Sequence, residues 1–427
     1  MLKIYKRGET PDAELIRREA GAANVTDTVA AIIADVRQNG DAALLAYNAR
    51  FDRAEGVALE VTAEELDAAC GRVDPELVKV MELAAENIRA FHSRQLSHGY
   101  IMSGKNGSLL GQRVIPLRRV GLYIPGGTAA YPSSVLMNCI PAKIAGVDEI
   151  VMTTPASGGA VSDVILAAAK IAGVDRVFRV GGAQAVAALA YGTETVPQVD
   201  KIVGPGNAFV AEAKRQVFGQ VAIDMIAGPS EILVVSDGKS DPKWIAADLL
   251  SQAEHDKLAT AILITDSMPL AEAVQAEVER QLAVLPREEI ARAAIEANGK
   301  IIVTGTLDEA VEMANAVAPE HLELAVDSPF DFLPKVRNAG SIFLGRYCPE
   351  PLGDYLSGTN HTLPTMGTAR FSSPLGVEDF VKRSYFSYYT ADALEQVADA
   401  AALFADAEGL HGHAVSATAR RNGGEGK

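Results

Sequence analysis

The stretch RVGLYIPGGTAAYPSS, Arg119 to Ser134, decides how the rest of the chain is read. Its first part is a short β-rich run, its middle a glycine turn, and Pro132 suits the first turn of a helix. A strand that turns on glycines into a helix is the opening half of a βαβ unit. The runs EIVMTT from Glu149, RVFRV from Arg176 and KIV from Lys201 follow, at intervals of roughly 25–30 residues, the length of a strand, a crossover helix and two loops. This predicts one parallel sheet. After Trp244 the alternation resumes with AILIT, KIIVTG, HLELAV and SIFLG, separated by helical patterns such as PLAEAVQAEVERQLAVL and LDEAVEMANAV, which predicts a second. Upstream, Val25 to about Gln95 places apolar residues at three- and four-residue spacing and reads as helices starting near Asp27 and Pro75. From Val377 the pattern turns helical again and ends in the polar tail ARRNGGEGK, expected to be frayed.

Length and composition indicate a globular chain whose remaining partners are small metabolites or other proteins. The 427 residues, 48% of them hydrophobic, can fill more than one core. A formal charge of -16 and a pI near 5.0 argue against nucleic acid and anionic membranes, because a negative field repels polyanions. Cys70, Cys139 and Cys348 form no CxxC spacing and cannot all pair, which points to a reducing compartment. The start MLKIYKRGETPDAE has no apolar h-region, and no apolar run reaches the ~18 residues of a membrane span. A cytoplasmic protein is expected.

Glycine turns follow three strands of the first sheet: IPGG from Ile124, VGGAQA from Val180 and VGPGNA from Val203. At the carboxyl edge of a parallel sheet, helix N-termini expose free N–H groups that attract a pyrophosphate. Ordinary strand-to-helix turns are also glycine-rich, and the full GxGxxG fingerprint is missing, since Phe209 stands where its third glycine belongs. The turns admit a dinucleotide without naming one.

In DPKWIAADLLSQAEHD, the residues Ile245, Leu249 and Gln252 share an inward stripe, with Asp248 and His255 beside it. A buried amide or imidazole needs hydrogen bonds or a metal. Gln252 and His255, at helical i and i+3, can reach one ion; a hydrogen-bonded core pair satisfies the same pattern. Two further segments supply candidate ligands: PEPLGDYLSGTNH brings Asp354 and His361, and AEGLHGHAV brings Glu408, His411 and His413. In VAPEHLELAV, Pro319 ends a helix and leaves Glu320 and His321 just before a strand expected from Leu322. Neighbouring strand residues face opposite ways, so the two serve one site only if the backbone there is irregular. A solvated Glu beside a capping or core His is the plainer alternative.

In order along the chain, GLYIPGG, GGAQA, GPGNAF, AGPSE, LSQAEHD, PEHLEL, GDYLSGTNH and AEGLHGH resemble the histidinol dehydrogenase family. Each motif is weak, but eight in order are specific. The resemblance implies two incomplete Rossmann-like α/β parallel-sheet domains with small N-terminal and C-terminal helical extensions. The extensions would be residues 1–22 and 376–427; the metal and catalytic domain would combine 23–120 with 232–375, and the NAD-binding domain would span 121–231. It implies a zinc-dependent, NAD-linked homodimer that oxidises L-histidinol to L-histidine. Zinc would be held by Gln252, His255, Asp354 and His413, a nitrogen and oxygen donor set that also admits manganese or cobalt. Ser230, Gln252, His255, His321, Asp354, Glu408 and His413 would contact the substrate, and Tyr123, Gln184 and Asn207 the NAD. Spacing alone does not separate His411 from His413; only the family pattern selects the latter.

By the same resemblance, His321 takes the alcohol proton and Glu320 activates water for the aldehyde step, while the arm bearing Glu408 and His413 reaches into the partner subunit. The rival readings are a dehydrogenase of the same fold acting on another small alcohol, and a zinc hydrolase in which the dinucleotide turns would be idle.

Overall fold

The computed structural model describes residues 2–18, 24–126 and 130–421. Residues 127–129 of the first glycine turn and 422–427 of the polar tail lie outside them. Along the chain run strands β1 (Lys3–Lys6), β2 (Tyr100–Ser103), β3 (Leu109–Pro116), β4 (Arg119–Tyr123), β5 (Glu149–Thr154), β6 (Arg176–Arg179), β7 (Lys201–Val203) and β8 (Ala222–Ile223). They are followed by β9 (Glu231–Ser236), β10 (Thr260–Thr265), β11 (Lys300–Val303), β12 (His321–Ala325), β13 (Ser341–Leu344) and β14 (Val381–Tyr388). The chain divides into two compact units, Met1–Gln95 with Leu117–Phe380, and Leu96–Pro116 with Val381–Lys427.

The first unit contains both expected parallel sheets. One has the order β6-β5-β4-β7-β8, the other β1-β11-β10-β9-β12-β13. β9 is central to the larger sheet and buried along its whole length. Its alternate residues feed different cores: Ile232 and Val234 pack with Ile245, Leu249 and Leu263, whereas Leu233 and Val235 pack with Ile262, Val311 and Leu322. A parallel strand covered by helices on both faces must be apolar throughout, which is why EILVVS carries no polar alternation after Glu231. Its short apolar run sits next to the turn-rich AGPS, and it was not among the expected strands.

Four further differences have physical causes. Residues 3–6, expected to lie in an extension, form an edge strand whose register pairs Lys3 with Lys300. Helix Thr26–Tyr47 buries Val29, Ile32, Ile33 and Leu44 in the core that contains Phe178, Val186 and Val210. Its apolar stripe thus packs on the five-stranded sheet, although 23–120 was grouped with 232–375. Residues 381–388, read as part of a helical arm, form β14, because VKRSYFSY pairs antiparallel with β3 over eight positions. The second unit is therefore a three-stranded antiparallel sheet, β14-β3-β2, followed by the expected helices Ala398–Ala407 and His411–Thr418. Lastly, the helix from Pro242 ends at Ala253, so His255 lies in the following turn instead of on the helix.

Candidate active site

The site forms at the amino ends of β9 and β12. Helix Leu307–Val317 ends on Ala318, whose φ of 51° and ψ of 63° are left-handed, and Pro319 prevents its continuation. This supplies the irregular backbone that Glu320 and His321 require. Glu320 is then pinned by its carbonyl, which accepts from Ser341 N at 2.8 Å. Gly340 lies against it so closely that a Cβ there would meet that oxygen at 2.5 Å. β12 begins at His321, one residue earlier than expected.

One residue holds both members of the dyad. The backbone N–H of Glu231 donates to Glu320 Oε2 at 2.8 Å, and its carbonyl faces His321 Nδ1 at 2.9 Å. A carbonyl can only accept, so Nδ1 carries the proton and donates. Nε2 is thereby turned toward the other side of the ring, where Glu350 Oε1 lies at 3.6 Å and Asp354 Oδ1 at 3.8 Å. Neither Nε2 nor Glu350 Oε1 has a hydrogen-bond partner, and both are buried. His361 completes the group, with Nδ1 at 3.9 Å from Asp354 Oδ1 and Nε2 at 3.3 Å from Ser134 Oγ. Ser134 belongs to the helix that leaves the glycine turn after β4, so the amino edge of the larger sheet meets the carboxyl-edge apparatus of the smaller one here.

The electrostatics follow from packing acids together away from water. Burial raises Glu320 to about 8 despite the neighbouring His321, and raises Glu350 to about 7. Burial opposes a charge on His321 as well, but Glu320, Asp354 and Glu350 outweigh it and lift the ring to about 10. Burial also pushes Asp354 up, yet the nearby rings of His321 and His361 bring it down to about 2. The cluster therefore demands positive charge. A proton on His321 meets that demand, and so does a divalent cation.

Gln252 is buried, as its stripe predicts, and its side chain lies beside the Glu350 carboxyl. His255 is exposed overall, though the protein around its ring lowers its pKa against the raising fields of Asp354 and Glu254. Ser230 is half-buried immediately before Glu231, its carbonyl accepting from Thr260 N at 2.9 Å. Gln252, His255, Asp354, Ser230, Glu320 and His321 thus lie in one unit around two strand ends. Glu408 and His413 belong to the second unit, where both are exposed.

The residues expected to meet NAD cluster at the carboxyl edge of the five-stranded sheet. Tyr123 ends β4 and is buried, its hydroxyl accepting from Gly182 N at 3.1 Å, and burial pushes that hydroxyl up to about 12. Gln184 is buried beside Gly182, and Asn207 is exposed and caps helix Ala208–Val217 by accepting from Phe209 N and Val210 N. The turn between them is tight: Gly204 has φ +113°, and a Cβ there would meet the Tyr123 carbonyl at 2.1 Å. The buried pair Lys214–Asp224 braces it, since Lys214 Nζ donates to Gly204 O at 3.0 Å and Gly204 N to Asp224 Oδ2 at 2.8 Å.

Reading the sequence did not single out Glu231, Glu350 or the role of His361. Glu231 and His361 end two of the quoted motifs, and Glu350 stands between prolines in PEPLG. The available signal was a carboxylate inside a segment otherwise rich in small and apolar residues.

Comparison with known proteins identifies the family to which these residues belong. The family model described as histidinol dehydrogenase matches residues 15–421. The histidinol dehydrogenase of Geobacter metallireducens is 56% identical over 414 residues, covering 96% of this chain and 95% of that one. That of Lactiplantibacillus plantarum is 54% identical over 396 residues, covering 93% and 92%. The crystal structure of histidinol dehydrogenase from Elizabethkingia anophelis superposes with a TM-score of 0.93 at 37% identity, covering 98% of each chain. A family match over residues 15–421 and identity of this order over nearly the full length show that the chain belongs to the histidinol dehydrogenase family.

Proposed function

We propose that the chain oxidises L-histidinol through histidinal to L-histidine with zinc and NAD as cofactors, as a cytoplasmic homodimer. The observation that carries this reading is the buried Nε2 of His321, without a hydrogen-bond partner and facing Glu350 and Asp354. The residues fit a metal: an amide, imidazoles and carboxylates are hard or borderline donors suited to zinc, and the acid cluster needs a cation. Gln252, His255, Asp354 and His413 would hold it. When bound, zinc supplies a Lewis-acid anchor for the imidazole and amine of the substrate, and NAD supplies the hydride acceptor.

The chain's own residues do the rest. With a cation meeting the charge demand of the acids, His321 would be neutral, and, its Nδ1 fixed by the Glu231 carbonyl, it would offer Nε2 to the alcohol and take its proton in the first oxidation. Glu320, raised to about 8, is poised near neutral pH to take a proton from water during hydration of the aldehyde. Ser230, Gln252, His255, His321, Asp354, Glu408 and His413 line the substrate position. Tyr123, Gln184 and Asn207 would receive the dinucleotide, which supplies the hydride acceptor at the carboxyl edge of the five-stranded sheet. Keeping the aldehyde bound between the two steps protects a reactive α-amino aldehyde.

The test is a substrate panel with NAD, followed by NADH absorbance. L-histidinol is expected to yield two NADH per molecule, and other small alcohols far less. No NADH from histidinol, or a better rate with another alcohol, would remove this reading.

A further inference from the structure

A buried cation stands behind the dyad. Arg18, at the end of the N-terminal segment, is 8% exposed in its side chain and pairs with Glu231, 2% exposed, through Nη1 and Oε1 at 3.0 Å. Its Nη2 donates to the carbonyl of Val317, the last residue of the helix that leads to Glu320. Gly367 covers the same guanidinium, since a Cβ there would lie 3.5 Å from Arg18 Nη1. Glu231 is also held from the other side, where Oε2 accepts from Met366 N at 3.2 Å, Met366 being itself left-handed at φ 53°. Burying a guanidinium is costly, and burial does lower the pKa of Arg18. A buried ion pair of this kind, with Arg18 Nε and Glu231 Oε1 lacking hydrogen-bond partners, is weak evidence of added stability, which leaves its geometry to be accounted for.

We propose that Arg18 is a positioning residue for the Glu320 and His321 dyad, acting through Glu231 and the exit of helix Leu307–Val317. The connection has two arms. Through the Glu231 carboxylate, Arg18 orients the residue whose N–H holds Glu320 and whose C=O holds His321 Nδ1. Through the Val317 carbonyl it fixes the helix terminus two residues ahead of Pro319 and three ahead of Glu320, at the favourable negative end of the helix. The side chain of Arg370 donates to the preceding carbonyl, Ala316 O, so two arginines cap that terminus. A planar fork can serve a carboxylate and a carbonyl at once; an ammonium at the same place serves one of them well.

The inference rests on the dyad assignment above, so the experiment includes Glu320→Gln and His321→Ala as references, alongside Arg18→Met, Arg18→Lys, Glu231→Gln and the double variant Arg18→Met/Glu231→Gln. All are assayed as full-length, metal-loaded enzyme with histidinol and with histidinal, and each melting curve is recorded. Arg18→Met is expected to lower kcat in both oxidations about 10–100-fold, the loss typical of a displaced catalytic group, with KM changed less than about threefold. Arg18→Lys should recover part of that loss, and Glu231→Gln should resemble Arg18→Met. The double variant should be no worse than the poorer single one, because both break one connection. A folded Arg18→Met with wild-type kcat and a lower melting temperature would make Arg18 merely structural and overturn the proposal, as would losses that multiply in the double variant. Should Arg18→Met fail to fold, Glu231→Gln decides: a wild-type kcat there overturns the proposal. If instead the reference variants are fully active, the dyad assignment itself has failed, whatever Arg18 does.

Discussion

His321 illustrates how a single backbone contact sets chemistry. Because the Glu231 carbonyl occupies Nδ1, the ring has one free nitrogen, and it faces the acids. His321→Ala is therefore expected to depress the first oxidation about 10²–10⁴-fold, the usual worth of an acid–base group. Glu320→Gln should weigh mainly on conversion of histidinal to histidine, the half that needs activated water. Separate assays with histidinol and histidinal check this division, and identical profiles for the two variants would refute it. Among the metal candidates, the neutral amide oxygen of Gln252 is a weaker donor than the imidazole of His255. His255→Ala is expected to lose more zinc on dialysis than Gln252→Ala, measured as metal per chain; equal metal content in both and in the wild type would contradict the ligand set. Gln252 drew notice in the sequence because an amide stood on an apolar stripe, and Asp354, Glu320 and His321 because they sat in short polar motifs at a glycine-rich loop and a proline-ended helix. Glu231 was not, since it acts through the N–H and C=O that every residue but proline has, and Glu350 was hidden in a proline-flanked segment that reads as loop.

Among the elements, the turn after β7 is where sequence and geometry are most tightly linked. Gly204 combines a positive φ with the carbonyl of Tyr123 at its back. Any side chain there must push two strand ends apart. Gly204→Ala is expected to weaken NAD binding at least tenfold while leaving zinc content unchanged, as measured by calorimetry and metal analysis; unaltered NAD affinity would show that this turn does not receive the cofactor. The strands following such turns were readable because buried parallel strands are continuous apolar runs of short length. β14 was not: the exposed positions of VKRSYFSY carry charges and tyrosines, and half of one strand pattern resembles a polar helix flank. β1 was missed for a different reason. KIYK is too short to show a period, and its partner is far away in sequence. The helix end at Ala253 likewise depends on a turn, closed by His255 N to Gln252 O at 3.1 Å, that the continuing SQAEHD pattern does not announce.

For the whole molecule, the telling expectation is the shared site. If His413 serves the partner subunit, a dimer of one His413→Ala chain and one His321→Ala chain gathers both defects in one site and leaves the other intact. Random reassortment makes half the dimers mixed, so a refolded equal mixture of the two variants is expected to regain roughly a quarter of wild-type activity. His411→Ala should be active alone. A mixture that stays inactive although mass spectrometry finds mixed dimers would show that each arm serves its own chain. Two parallel sheets could be read from strand spacing, but their exact strand order could not, because pairing between β9 and β12 or β1 and β11 joins residues that local patterns never bring together.

That pairing of the first strand with β11 has a consequence for synthesis. Lys3 emerges from the ribosome long before Lys300, its partner in register, and at roughly 5–20 residues per second the wait is about 15–60 seconds. Arg18 waits as well, for 213 residues (231 − 18) until Glu231 and for 299 (317 − 18) until Val317. Meanwhile the strands of the five-stranded sheet, from Arg119 to Ile223, are all made and can close on one another. At that stage the nascent chain holds every strand of the five-stranded sheet beside an unpaired first strand. A chain stalled before Lys300 is expected to be clipped by protease near residues 3–18, and the released chain to resist. Arg18 can make both of its contacts only once Val317 is made, three residues before Glu320, so the brace and the pair it positions come together late in synthesis.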